Sequence, residues 1–211
     1  MRLFRVTPLR LAAAILVGSL AFAGVGYAAT VGLSSQKLYV WTQTPSKGTC
    51  TPTESDAEID QASPNTNHGN QASETVLSKS NGNSYVLVGF DLAGSPCSLP
   101  TTGGADLATL TFVVTGTFKG PDTISAYPIT SAWNASTVTW NTMPTFGSTP
   151  DFTFSGAGTY VMTVTAGVDA AIKNGYHGWM LVDTTGTNNA TTTIAGHASA
   201  QAPSLTVNYE K

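Results

Sequence analysis

Three carboxylates recur with period two in Asp56-Ala57-Glu58-Ile59-Asp60. In an extended strand that spacing sets all three side chains on one face. Like charges on one face repel unless water or a cation screens them, which leaves two readings. One is a solvated outer face, with Ala57 and Ile59 turned to the core. The other is a calcium site, because hard cations take carboxylate and carbonyl oxygens, although no EF-hand-like loop or Asp-rich repeat is present. The three histidines, His68, His177 and His197, have no zinc-ligand spacing among themselves or to a cysteine. There is no Gly-x-Ser-x-Gly elbow, and nothing marks any two carboxylates as the pair a glycosidase needs. The expectation is a chain that is not an enzyme, with no cofactor unless the calcium reading holds.

The aromatics and cysteines come next. Trp133 and Trp140 bracket a short polar stretch and either clamp a loop shut or offer flat faces to a sugar. Trp179 sits in an apolar run and reads as core. Trp41 and Tyr39 alternate near the start and suit contact with a partner. Cys50 and Cys97 both lie in Pro-, Thr- or Ser-rich connections. In an oxidising compartment an isolated pair of this kind is expected to be bridged. The bridge would close a loop of about 48 residues, for which chain entropy gives about 3–4 kcal/mol.

The elements that must position these groups are almost all strands. Short β-rich runs alternate with Gly, Pro, Asn and Asp: Gln36–Thr42, Thr75–Ser78, Ser84–Asp91, Asp106–Thr115, Asp122–Tyr127, Tyr160–Thr165, His177–Asp183, Thr192–Gly196 and Ser204–Tyr209. Asn81-Gly82 is a hairpin signal. Only Ala166–Lys173 reads as helix, with Thr165 at its N-terminus and Asn174-Gly175 as a stop. This pattern predicts an all-β, jelly-roll-like β-sandwich with one short helix. Ahead of it, Arg2, Arg5 and Arg10, an apolar stretch and Gly26-Tyr27-Ala28 read as a signal peptide. The divisions are 1–28 signal peptide, 29–55 an N-terminal strand and polar linker, and 56–211 the sandwich. Without the signal, six basic residues face twelve acidic ones, and no basic cluster remains for nucleic acid. The membrane is a partner only if the signal segment is retained.

One segment is distinctive: Ser131-Ala-Trp133-Asn-Ala-Ser-Thr-Val-Thr-Trp140-Asn141-Thr-Met-Pro144. Its two tryptophans followed by Asn and Pro resemble the signature loop of the DNRLRE domain family, named for disaggregatase-related repeats. Further resemblance, in family order, lies in Asp56-Ala57, Ser63-Pro64-Asn65-Thr66-Asn67-His68-Gly69, Phe90-Asp91-Leu92, Ala108-Thr-Leu110, Thr163-Val-Thr165 and Pro203-Ser-Leu205-Thr-Val207-Asn-Tyr209. Departures are His68 for the usual Tyr and Met162 for the usual Asp. Ala198 and Ala200 flank a degenerate version of its late acidic stretch. The resemblance implies a jelly-roll module on a bacterial or archaeal surface, non-catalytic and similar to carbohydrate-binding modules.

Two functions follow as expectations. In the first, a secreted or cell-surface module binds polysaccharide or cell-envelope glycan through Asn67, His68, Tyr127, Trp133, Trp140 and Tyr176. In the second, the chain is a structural subunit that self-associates, its strand Val31–Thr42 completing a neighbour's sheet.

Overall fold

The structure, a computed structural model, describes residues 25–28, 39–42, 47–79, 82–92, 97, 99, 105–118, 123–174, 178–185 and 189–210. The chain divides into two units, Met1–Ser46 and Lys47–Lys211. In the first, β1 (Val25–Ala28) pairs antiparallel with β2 (Tyr39–Thr42). Most of the segment read as a signal peptide lies outside the described residues.

The second unit is an antiparallel β-sandwich. Its first layer runs β10 (Phe152–Ser155), β9 (Thr123–Pro128), β12 (Trp179–Asp183), β7 (Ser84–Asp91) and β4 (Thr53–Asp60), with the short β5 (His68–Gly69) beyond β4. The second is centred on the long β8 (Ala105–Phe118). β11 (Gly158–Thr163) pairs along one side of it, and β14 (Ser204–Glu210) and β13 (Ala190–Ala195) pair along the other. Beyond these, β3 (Lys47–Cys50) extends β14 and β6 (Ser73–Ser78) extends β13. A single pairing, Leu77 with Ser84, joins β6 to β7 and makes the layers one sheet folded on itself.

Alternation builds the core. Val86, Val88 and Phe90 of β7, Trp179 and Leu181 of β12, and Ile124 and Ala126 of β9 face Leu110, Phe112 and Val114 of β8. Phe112 meets Phe154 edge-on at 4.8 Å between centroids, a geometry favoured by aromatic quadrupoles. The Trp179 indole N–H donates to Asp151 Oδ2 at 2.8 Å, so its burial leaves no bare donor. The helix spans Thr165–Asn174, one residue longer than predicted at each end. The Thr165 hydroxyl oxygen accepts from the Ala108 N–H, tying the helix start to β8.

Two expectations are corrected. The polar stretch ending at Ser55 is not all linker: it contains β3 and the start of β4, and the folded unit begins at Lys47. Thr and Ser hide these strands because a rim strand has little apolar surface to bury. The second correction concerns the faces of β4. In register, Glu54, Asp56 and Glu58 stand opposite Phe90, Val88 and Val86, the inward residues of β7. Opposed residues share a face, so the acids point inward. Ala57 and Ile59 point outward, where both are nonetheless fully buried. Cys50 and Cys97 form the predicted disulfide. Among the described residues no helix is long and apolar enough to cross a membrane.

Candidate functional site

Ala57 and Ile59 are buried because the outer face of the first layer is roofed by residues 130–147. A second apolar cluster lies beneath that roof: Ala57, Ile59, Leu87, Ile129, Val138 and Met180, with Tyr85, Trp133, Trp140 and Met143 packed against it half-buried. The roof is sewn down at its ends, where the Thr130 N–H donates to the Thr145 carbonyl and the Gly147 N–H to the Pro128 carbonyl, each at 2.8 Å. Its middle is shaped by Asn134, whose Oδ1 accepts from the Ser136 N–H at 2.8 Å. A 3-10 turn at Trp140–Thr142 follows, capped by Thr142 Oγ1 accepting from the Thr139 N–H.

A neighbouring loop, residues 61–69, locks the roof in place. Asn67 Nδ2 donates to both the Ala135 and Val138 carbonyls, at 2.8 and 2.7 Å. The Asn141 N–H donates to the Pro64 carbonyl, and Asn141 Nδ2 to Asn65 Oδ1. The run Pro64–Gly69 that carries part of the family resemblance therefore serves as the latch of the tryptophan loop. Replacing Asn67 by Ala strands two partly buried carbonyls and is expected to lower stability by about 1–3 kcal/mol. Chemical denaturation checks this; an unchanged midpoint would contradict the latch.

The roof leaves a run of half-exposed aromatic surface. Tyr85 contacts Trp140 at 5.0 Å between centroids, and Tyr127 contacts Phe146 at 5.8 Å. Phe146 is 38% exposed, an unusual state for phenylalanine. Pairing of Tyr127 with Met180, and of Met180 with Leu87, sets Tyr127 two strands from β7. With Tyr85 two residues from Leu87 along β7, the Tyr127 and Tyr85 backbones stand about 12 Å apart on this face. Thr130, Ser131, Thr139, Thr142 and Thr145 supply hydroxyls around them. No Lys or Arg occurs between residues 48 and 78 or between 120 and 172, so the segments that build this face carry no fixed positive charge.

The structure brings Tyr127, Trp133 and Trp140 to this one face. Asn67 is beside it but holds the latch. His68 stands opposite Glu58 in register and so lies on the acid side of β4. Tyr176 lies outside the described residues. Tyr85 and Phe146 were not singled out from sequence. The signal for Tyr85 is legible in the sequence: Tyr85 and Leu87 on one side and Val86, Val88 and Phe90 on the other are all apolar or aromatic, which requires cover on both faces of β7.

The inward acids form a second polar centre. Glu54, Asp56 and Glu58 meet Glu74 of β6, whose partner in register is the core residue Ile194. Asp56 and Glu74 are 1% and 0% exposed. Burial pushes the Glu74 carboxyl up to about 9, and the Asp56 charge adds to this. Burial likewise raises Glu54 to about 7, against the lowering contact with His197. Asp56 and Glu58 are also raised, chiefly by desolvation. Glu58 Oε2 accepts from the Thr75 N–H at 2.8 Å, and Asp60 Oδ1 accepts from the Ala62 N–H at 2.9 Å. The solvated-face reading of the period-two trio does not hold, since Asp56 is buried; Asp60 Oδ1 is engaged by the turn at Ala62.

No curated protein matches the chain at a significant level. The model of one family, carbohydrate-binding module family 96, matches residues 46–209, which is the whole sandwich including β3. A disulfide-bridged β-sandwich with a roofed aromatic face is in keeping with that match, and the chain belongs to carbohydrate-binding module family 96.

Proposed function

We propose that this chain is a secreted, non-catalytic module of the DNRLRE type that holds an uncharged polysaccharide against its roofed outer face. The observation that carries the reading is the half-exposed pair of aromatic contacts, Tyr85–Trp140 and Tyr127–Phe146, on one rigid sheet face. Aromatic rings present apolar area to the C–H faces of a pyranose at little entropic cost, while surrounding hydroxyls hydrogen-bond its rim. The absence of Lys and Arg from the segments forming this face favours an uncharged glycan over polyuronates and sulfated glycans, whose anionic groups are bound most strongly by Arg and Lys. The disulfide supports export, since such bridges persist in oxidising compartments.

Affinity electrophoresis against cellulose derivatives, xylan, β-glucan, alginate and pectin tests this. Retardation is expected in an uncharged polysaccharide, with about tenfold weaker binding on Tyr127→Ala, a loss of about 1.4 kcal/mol. Retardation only by alginate or pectin, or binding unmoved by both Tyr127→Ala and Phe146→Ala, would sink the proposal.

A second reading, self-association, is favoured by one observation. The partner of β2 in this chain is β1, which falls in the segment read as a signal peptide. Cleavage after Ala28 would leave Tyr39–Thr42 with an unpaired edge, available to the sheet of another copy. Sedimentation of the exported protein, with and without residues 31–42, tests this; a monomer in both states excludes it.

A further inference from the structure

We propose that Glu54, Asp56 and Glu74 form a binding site for one hard divalent cation of the calcium type, at the end of the sandwich between β4, β6 and the turn after β13. The three carboxylates present six oxygens. Glu54 Oε2 lies 2.7 Å from His197 Nδ1, Asp56 Oδ2 accepts from the His197 N–H at 2.5 Å, and Glu74 Oε1 accepts from the Gln71 N–H at 3.2 Å. The other oxygen of each, Glu54 Oε1, Asp56 Oδ1 and Glu74 Oε2, is buried and has no hydrogen-bond partner. Each carboxylate is therefore oriented by a nitrogen through one oxygen, while the other meets no nitrogen or hydroxyl donor and Asp56 abuts both Glu54 and Glu74. Outer partners that fix a ligand's direction in this way are a regular part of metal sites.

Among the described residues no Lys or Arg forms an ion pair with these carboxylates. Glu58 adds a further carboxylate on the same face of β4. His197 Nδ1 lies 2.7 Å from Glu54 Oε2, with its ring 43% exposed, and His68 stands opposite Glu58 in register. Buried carboxylates without a counter-charge are costly, and oxygen-only donors on a rigid frame suit calcium rather than a transition metal. Among the described residues no three acidic, His or Cys side chains enclose a preformed coordination sphere. Asp56 already abuts both Glu54 and Glu74, so a cation would close the group by adjustment of these side chains alone. The backbone leaves that turn little freedom: a Cβ on Gly196 would lie 2.4 Å from the Gln71 carbonyl oxygen and 3.1 Å from Asp56 Oδ2. A cation here would tie the first long strand, β6 and the turn at 196–201 into one unit, independently of any glycan.

The test uses the full chain, exported and stripped with chelator, and calcium chloride as the probe. Calorimetric titration is expected to show one saturable site. Calcium a hundredfold above its dissociation constant is expected to raise the melting temperature by about 5–10 °C. Glu74→Gln should weaken binding at least tenfold and remove the shift, whereas Asp60→Asn should keep both. Stripped wild-type protein that gives neither heat nor a melting shift with millimolar calcium overturns the proposal, whether or not the variants fold. So does a Glu74→Gln variant that melts as high as the wild type with calcium, the behaviour of carboxyls that merely share protons.

Discussion

Replacing Cys50 and Cys97 together by Ser is expected to destabilise the sandwich by about 4 kcal/mol, the chain-entropy value for the loop that a sequence separation of 47 closes. For a domain of this size that corresponds to a melting temperature lower by roughly 8–16 °C. The location favours the full effect. β3 is a four-residue strand at the rim, and among the described residues it pairs with β14 alone. A strand so short contributes few ladder bonds, so its attachment depends on the covalent tie to the segment after β7. Both half-cystines are also buried, at 7% and 2% exposure, and the serine hydroxyls would need partners there. Thermal melts with and without reductant, compared with the double Ser variant, measure the effect. A shift below about 2 °C would mean that the loop is already ordered without the bridge.

Most of the sandwich was legible in the sequence because strand alternation and turn residues report local geometry directly. Val86, Val88 and Phe90, or Leu110, Phe112 and Val114, announce one buried face each. Alternation tells which residues share a face, but not which way that face points. On β4 the acids pointed inward because two distant segments supply cover: the 130–147 roof buries Ala57 and Ile59, while Glu74 and the 196–197 turn receive the carboxylates. Neither fact is local to Thr53–Asp60. Glu74 itself escaped notice as a lone acid in a Thr- and Ser-rich run. Its two-residue offset from the core residue Val76 is the only cue that it faces inward. Phe146 was hidden for the opposite reason: an isolated aromatic in a loop has no period, and only the fold sets it against Tyr127.

The latch and the aromatic face should fail together when Gly69 is replaced by Ala. A Cβ at that position would lie 1.8 Å from the Ala135 carbonyl oxygen and 2.7 Å from its carbon. Both are backbone atoms, so no rotamer change relieves the contact; the 61–69 loop and the roof must move apart. The cost belongs at the upper end of overpacking, about 3 kcal/mol. Separation also breaks the two hydrogen bonds from Asn67 to the roof and loosens the Trp140 ring from Tyr85. The expected signs are a lower denaturation midpoint, red-shifted tryptophan emission and weaker polysaccharide binding in the same variant. Gly116→Ala provides the contrast, since nothing lies within 4 Å of its would-be Cβ and Ala is preferred to Gly inside a strand. If Gly69→Ala proves as stable as Gly116→Ala, the tryptophan loop is not pinned by this close approach. The glycan face would then have to be organised by the roof alone.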